Sequence, residues 1–306
     1  NKLGLSSALL KSIQAKGYSN PSEIQQEAIP EILKGKDILA GAQTGTGKTA
    51  AFALPILHRL QNAESKRRRV RVLVLVPTRE LASQVGESFR DYGSNLRFRT
   101  SVLYGGVSIN TQIDKIRKGV DIVVATPGRL LDHLNQKTLK LSELETFVLD
   151  EADKILNLGF KEEVNKILKM LPIKRQNLLF SATLSDKVKE INQLVLNKPI
   201  VLNIKPVETN MDIIKQIAYS VEPERKGPLL RHLIASEDFK QILVFTSSTF
   251  KADNVAAKLR KNNIQATAIH SKKSQGARTA ALRKFKEGTL RVLVTTDLLA
   301  RGIDIQ

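Results

Sequence analysis

Residues 42–49 read Ala-Gln-Thr-Gly-Thr-Gly-Lys-Thr and carry the groups a triphosphate needs. Glycines let successive backbone N–H groups turn inward on an anion, and a helix N-terminus adds a favourable dipole. In this spacing Ala42, Gln43, Thr44, Gly45, Thr46 and Gly47 form the cradle. Lys48 is then placed to reach the β- and γ-phosphates, and the Thr49 hydroxyl to coordinate Mg²⁺. The first position is Ala where the usual pattern has Gly, which removes no contact group. A second cluster, Asp150-Glu151-Ala152-Asp153, directly follows the aliphatic run 146–149. An acidic residue at the carboxyl end of a parallel strand lies where open α/β sheets bind ligands. Asp150 suits the Mg²⁺ role, and Glu151 is placed to orient or deprotonate a water that attacks the γ-phosphate. Each cluster alone has a plain explanation, a glycine turn or an acidic helix start favoured by the dipole. Together they point to a nucleoside triphosphate site with Lys48, Asp150 and Glu151 as its catalytic residues.

The elements that must position these groups are legible as an alternation. Residues 36–40, 70–76, 121–125, 146–149 and 177–180 are aliphatic runs too continuous for a half-exposed strand, as in a parallel sheet covered on both faces. Between them lie the amphipathic stretches 79–92, 162–170 and 186–196. The pattern repeats with strand-like 241–245 and 291–295 and helix-like 250–261 and 275–286. This predicts an α/β chain of two units, with the joint near 205–211, where neither period holds. His270, after the strand-like 266–269, is expected to be a packed, hydrogen-bonded histidine without chemistry.

Composition narrows the class. The 306 residues hold 49 Lys and Arg against 30 Asp and Glu, a net charge of +19. Such an excess points to a polyanionic partner, nucleic acid before a membrane surface. With no cysteine, disulfide scaffolds, thiolate zinc sites and cysteine nucleophiles are excluded together. No apolar run reaches the roughly 18 residues of a membrane span, and no signal peptide opens the chain, so a cytoplasmic location is the expectation.

The two clusters and several further blocks resemble the DEAD-box family of ATP-dependent RNA helicases, a bacterial RhlE-like branch included. Gly17-Tyr18, Pro21 and Ile24-Gln25 are similar to the adenine-reading motif. Pro77-Thr78-Arg79-Glu80-Leu81, Gly105-Gly106 and Thr126-Pro127-Gly128-Arg129 resemble the RNA-backbone contacts of the first domain. Ser181-Ala182-Thr183 is similar to the motif linking nucleotide state to unwinding, with Ser181 and Thr183 expected beside Asp153. Thr246, Gln275, Arg278, Thr296 and Asp297 match RNA contacts of the second domain; Arg301-Gly302-Ile303-Asp304 matches the block that places Gly302 and Asp304 on ATP. The RNA set also has an independent logic. Small or hydroxylic residues at strand ends present N–H and O–H groups to phosphates whatever the base, while Arg79, Arg129 and Arg278 add salt dependence.

The resemblance implies two tandem RecA-like domains, residues 1–206 and 207–306, each a mostly parallel sheet flanked by helices, with the second incomplete at the C-terminus. It implies ATP and Mg²⁺ as cofactors, single-stranded and duplex RNA as partners, and RNA-stimulated hydrolysis coupled to local, sequence-independent unwinding. Closure of the two domains about the 205–211 hinge would bend the bound strand. The family's arginine-finger block His-Arg-x-Gly-Arg-x-x-Arg is expected after Gln306, so these 306 residues are expected to bind ATP but hydrolyse it poorly. An ATP-gated RNA clamp that remodels ribonucleoprotein uses the same motifs and is the alternative. A DNA translocase is disfavoured by the adenine motif and by Asp297, the expected 2′-OH reader.

Overall fold

The computed structural model describes residues 3–43, 45–62, 69–204, 215–237 and 239–296. The chain divides into two compact units, 1–208 and 209–306. The expected hinge at 205–211 lies outside the described residues, as do Thr44, Asp297, Gly302 and Asp304.

The elements of the first unit run α1 (Ser7–Ala15), α2 (Glu23–Leu33), β1 (Ile38–Gly41), α3 (Lys48–Asn62), β2 (Val72–Leu75), α4 (Arg79–Tyr92), β3 (Thr100–Leu103), α5 (Ile109–Arg117), β4 (Ile122–Ala125), α6 (Pro127–Asn135), β5 (Thr146–Leu149), α7 (Ala152–Asn157), α8 (Lys161–Leu168), β6 (Gln176–Ser181), α9 (Asp186–Val195) and β7 (Ile200–Asn203). The seven strands form one sheet in the order β3-β4-β2-β5-β6-β1-β7, and every pairing is parallel. Parallel neighbours need helical crossovers, and these cover both faces.

The pleat sorts side chains to two cores. Ile38, Ala40, Val72, Val74, Ile122, Val124, Leu178 and Phe180 pack with Ile24, Ile29, Phe52, Val85 and Phe89 from α2, α3 and α4. Phe52 meets Phe180 at 5.3 Å between ring centres and Phe89 at 6.1 Å. The alternate residues Leu39, Leu73, Leu75, Val123, Phe147, Leu149 and Leu179 face Leu130, Ile155, Val164, Ile167 and Ile191 from α6 to α9. Burial on both faces is why β1, β2, β4, β5 and β6 read as unbroken apolar runs. The two edge strands differ: in β3 every second residue is only half-buried, and in β7 Val201 and Asn203 are exposed.

The second unit holds α10 (Lys226–Ser236), β8 (Ile242–Thr246), α11 (Thr249–Lys261), β9 (Ala266–Ala268), α12 (Gln275–Lys286) and β10 (Val292–Thr296). Its strands are parallel in the order β8-β10-β9. Ala252, Ala256 and Leu259 of α11 cover one face, and Ala281 and Phe285 of α12 cover the other. His270 is buried, a packed histidine whose Nε2 lies 3.0 Å from Asp253 Oδ2, while the other oxygen of Asp253 pairs with Lys273. Among the described residues no helix is long and apolar enough to cross a membrane.

Candidate functional site

Because the sheet of the first unit is wholly parallel, every strand delivers the residues after it to the same edge. Strand order then sorts them into two groups. The loops after β1, β5 and β6, on three adjacent strands, carry 42–47, 150–153 and 181–183. The loops after β3, β4 and β2, also adjacent, carry 104–108, 126–129 and 77–79.

In the first group, Gly45 and Gly47 take φ of +84° and +91°, where a Cβ is strained. Lys48 opens α3, is almost fully buried, and donates from Nζ to the Ala42 carbonyl at 3.0 Å. Its ammonium therefore lies across the mouth of the loop. The residues of the adenine-type motif meet the loop from α2. Ser22 Oγ donates to the Thr46 carbonyl at 2.7 Å, and Gln25 Nε2 donates to the Gly47 carbonyl at 3.2 Å. Gln25 Oε1 accepts from the Ser22 N–H at 3.1 Å. Gln25 is thus a strut for the phosphate loop as well as a base-reading candidate, with one N–H and one lone pair still to offer. Tyr18 is half-exposed.

Asp150 is 2% exposed and accepts the Glu151 N–H. Burial pushes its carboxyl up to about 6, against the pull of Lys48. Glu151 has φ +53° and ψ +48°, a left-handed conformation that costs a non-glycine residue about 1–2 kcal/mol. Its Oε1 pairs with Lys154 Nζ at 2.7 Å. Its Oε2, like Asp153 Oδ1, is buried with no hydrogen-bond partner among the described residues. Buried polar atoms are nearly always satisfied, so two orphaned carboxylate oxygens here mark a place for a cation, a water or a donor. The Thr49 hydroxyl and the Asp150 carboxylate supply oxygen ligands of the kind Mg²⁺ takes, one or two from protein and the rest from phosphate and water. Among the described residues no group of three or more His, Asp or Glu forms a closed metal site. Asp153 is tied to β6: its N–H donates to Ser181 Oγ at 3.3 Å, and Thr183 Oγ1 donates to its Oδ2 at 3.2 Å. Ser181 Oγ in turn donates to the Thr183 carbonyl at 2.7 Å.

In the second group, Thr78 caps α4 by accepting the Leu81 N–H at 3.2 Å, and Thr126 precedes α6 with Pro127 at its first turn. Pro77 is buried. Gly105 and Gly106 turn between β3 and α5, Gly106 at φ +79°, and the Arg79 guanidinium lies where a Cβ on Gly106 would fall. Gly128 has open space around it. Arg129 donates to the Val107 carbonyl at 3.0 Å. Two helix N-termini and a glycine turn therefore converge, a donor-rich surface of the kind that holds phosphates.

In the second unit, the ends of β8 and β10 bring Thr246 and Thr296 into register, and Thr246 Oγ1 donates to the Thr295 carbonyl. Gln275 and Arg278 lie in the first turn of α12 behind its Ser274 cap and are buried.

Sequence reasoning passed over Gln112 and His133, which are buried and hydrogen-bonded beside the 104–108 turn. The available signal was a polar residue on an apolar stripe: Gln112 between Ile109 and Ile116, and His133 three residues after Leu130.

Known proteins with this arrangement are numerous. A family model described as DEAD/DEAH box helicase matches residues 22–191, and one described as helicase conserved C-terminal domain matches residues 225–306. The DEAD-box ATP-dependent RNA helicase CshA of Bacillus cereus is 43% identical over 304 residues, 99% of this chain and 57% of that protein. The DEAD-box ATP-dependent RNA helicase RhpA of Helicobacter pylori is 40% identical over 306 residues, 61% of its length. The chain thus spans less than two thirds of these relatives. Among solved structures, S. cerevisiae Dbp5 bound to RNA and ADP BeF3 matches with a TM-score of 0.87 and 31% identity, over 99% of this chain and 77% of that one. A DEAD box protein from the hyperthermophile Methanococcus jannaschii matches at a TM-score of 0.63 and 35% identity, over 99% and 81% of the two chains. Their tandem RecA-like architecture is the one the two parallel sheets follow. On matches covering both units, laid over a phosphate loop and a carboxylate pair on neighbouring strand ends, this chain belongs to the DEAD-box helicases.

Proposed function

We propose that this protein is an RNA helicase in which RNA-stimulated ATP hydrolysis drives local, sequence-independent unwinding. The observation that supports it most is the sorting of one sheet edge into a triphosphate-type group on β1, β5 and β6 and a phosphate-backbone-type group on β2, β3 and β4.

In this proposal the 42–47 amides hold the phosphates, and Lys48 exchanges the Ala42 carbonyl for phosphate oxygens. Tyr18 and Gln25 bind the base, and Gly302 and Asp304 the ribose side. Mg²⁺, held by Thr49 and Asp150, supplies charge neutralisation at the phosphates when bound. Glu151 orients the attacking water with Oε2 and takes its proton, while Lys154 fixes Oε1. Asp153, Ser181 and Thr183 form the link through which the state of the nucleotide reaches the RNA side. Pro77, Thr78, Arg79, Gly105, Gly106, Thr126, Pro127, Gly128 and Arg129 bind RNA from the first unit. Thr246, Gln275, Arg278, Thr296 and Asp297 do so from the second. Contacts to the backbone alone make the grip independent of sequence. A cytoplasmic location, where ATP and RNA are both present, completes the proposal.

The test is ATP hydrolysis by the intact protein with and without single-stranded RNA and DNA, beside a Glu151→Gln variant and a strand-displacement assay. Stimulation by RNA alone, lost in the variant and accompanied by strand displacement, is the expected result. Equal stimulation by DNA, or none by RNA, overturns it; stimulation without strand displacement transfers the protein to the RNA-clamp class.

A further inference from the structure

A buried polar relay stands directly behind the 104–106 turn. His133 on α6 and Gln112 on α5 are 0% and 4% exposed, at positions where leucine or isoleucine would fill the stripe at no polar cost. Burying two polar side chains is tolerable only when their atoms are partnered. Here they are. Gln112 Nε2 donates to the Tyr104 carbonyl at 3.0 Å, and Gln112 Oε1 lies 3.1 Å from His133 Nε2. His133 Nδ1 lies 2.8 Å from Thr138 Oγ1, which also donates to the His133 carbonyl at 3.1 Å.

These partners fix the protonation pattern. The Gln112 amide must present N–H to a carbonyl, so its oxygen faces the ring and Nε2 carries the ring proton. Nδ1 is then the acceptor, and the single Thr138 hydroxyl proton is shared between it at 2.8 Å and the His133 carbonyl at 3.1 Å. Burial and the nearby Arg129 hold the ring below the usual histidine range, against a smaller opposite pull from Asp132, so it remains neutral in this one tautomer.

The end of the relay is the informative part. Tyr104 is the residue before Gly105-Gly106, and Val107, the residue after them, is held by Arg129. The glycine turn is therefore pinned at both flanks, by the buried Gln112 of α5 and the partly buried Arg129 of α6. Two glycines in succession are otherwise free to reorient their peptide planes, and the direction of an N–H group decides whether it meets a phosphate.

We propose that His133, acting through Gln112, is a positioning residue for RNA, fixing the Tyr104 carbonyl and with it the direction of the Gly105 and Gly106 N–H groups. Neither side chain touches RNA. The inference rests on the RNA-backbone role proposed above for this turn.

The experiment measures binding of a labelled single-stranded RNA to the intact protein in the presence of a non-hydrolysable ATP analogue. Binding of a fluorescent ADP is measured in parallel. His133→Leu and Gln112→Leu are each expected to weaken RNA binding about tenfold, the effect of one lost buried hydrogen bond. The double variant is expected to be no weaker than either single, because both cut one relay. His133→Gln, whose amide can present an N–H near the Nε2 position, is expected to restore RNA binding to about the original value. ADP affinity is expected to stay unchanged throughout. Should the leucine variants fail to fold, the isosteric Gln112→Glu serves. It still accepts from His133, has no N–H for Tyr104, and is expected to show the same RNA-specific loss. Arg79→Ala is the control for the face itself. Unchanged RNA binding in the relay variants, with loss in Arg79→Ala, overturns the positioning role alone. RNA and ADP affinities falling together also overturn it, since that is what general loosening of the unit gives. If Arg79→Ala binds RNA normally as well, the RNA role of the turn falls, and this inference with it.

Discussion

Glu151 is held in two unfavourable states at once: a left-handed backbone, and a buried carboxylate oxygen with no partner among the described residues. Lys154 on α7 uses Oε1, but neither the left-handed backbone nor the buried Oε2 serves that pair, and strain of this kind clusters at functional sites. Asn tolerates this backbone region better than Glu and buries no charge. Glu151→Asn is therefore expected to raise the melting temperature by about 2–4 °C, the equivalent of roughly 1 kcal/mol in a unit of this size, while hydrolysis is lost. A lower melting temperature would show that the residue is structurally required. His133 gives a second test at this scale, through pH. Its folded pKa is held below the unfolded one by burial, then by Arg129, with Asp132 opposing; Gln112 and Thr138 complete its surroundings. The unfolded chain then binds the extra proton first, so the histidine's stabilising contribution is complete above the unfolded pKa of about 6.5 and is lost as pH falls below it. The readout is a difference between two proteins. Between pH 7.5 and 5.5 the wild-type melting temperature is expected to fall more than that of His133→Gln; parallel curves would count against a buried neutral ring.

At the scale of elements, α2 and the phosphate loop act as one piece, because a Cβ on Gly47 would come within 2.5 Å of Gln25 Nε2 and 2.9 Å of Ser22 Oγ. Gly47→Ala adds that clash to a φ of +91°, and is expected to destabilise the first unit by about 1–3 kcal/mol and to abolish ATP binding. Denaturant titration and nucleotide binding read the two effects separately, and retention of ATP affinity would mean that the strut is dispensable. Legibility in the sequence followed burial. β2, β4, β5 and β6 are covered on both faces, so each is an apolar run that could be found directly. β3 and β7 close the sheet at its edges with Thr100, Val102 and Val201 partly in water, and a strand of four residues then carries too little pattern to separate from a loop. α2 is obscured for a related reason: it opens inside the adenine-type motif, and a capping Ser22 serves the helix and the phosphate loop together. In the site, the charged and glycine-rich groups were visible in order. The relay of Gln112 and His133 was not, since partners 21 residues apart meet only after α5 and α6 pack.

The whole molecule carries +19, and the sorting of its strand ends makes a statement about how little of that charge RNA binding needs. Most groups proposed for the RNA face are N–H and O–H donors, which release no counterions; the ionic part falls to Arg79, Arg129 and Arg278. Each phosphate neutralised on a single strand contributes about −0.7 to the slope of log affinity against log salt, so three arginines give about −2. A general basic surface would behave differently, adding contacts along the strand and steepening the slope with RNA length. The measurement is RNA affinity by fluorescence anisotropy between about 50 and 200 mM salt, with one short and one long single strand. The expected outcome is a slope near −2 for both lengths, reduced by about 0.7 in Arg79→Ala. A slope beyond about −4 that grows with length would mean that the excess charge, and not the three strand-end loops, holds the nucleic acid. The donor surface built by β2, β3 and β4 would then be a minor contact.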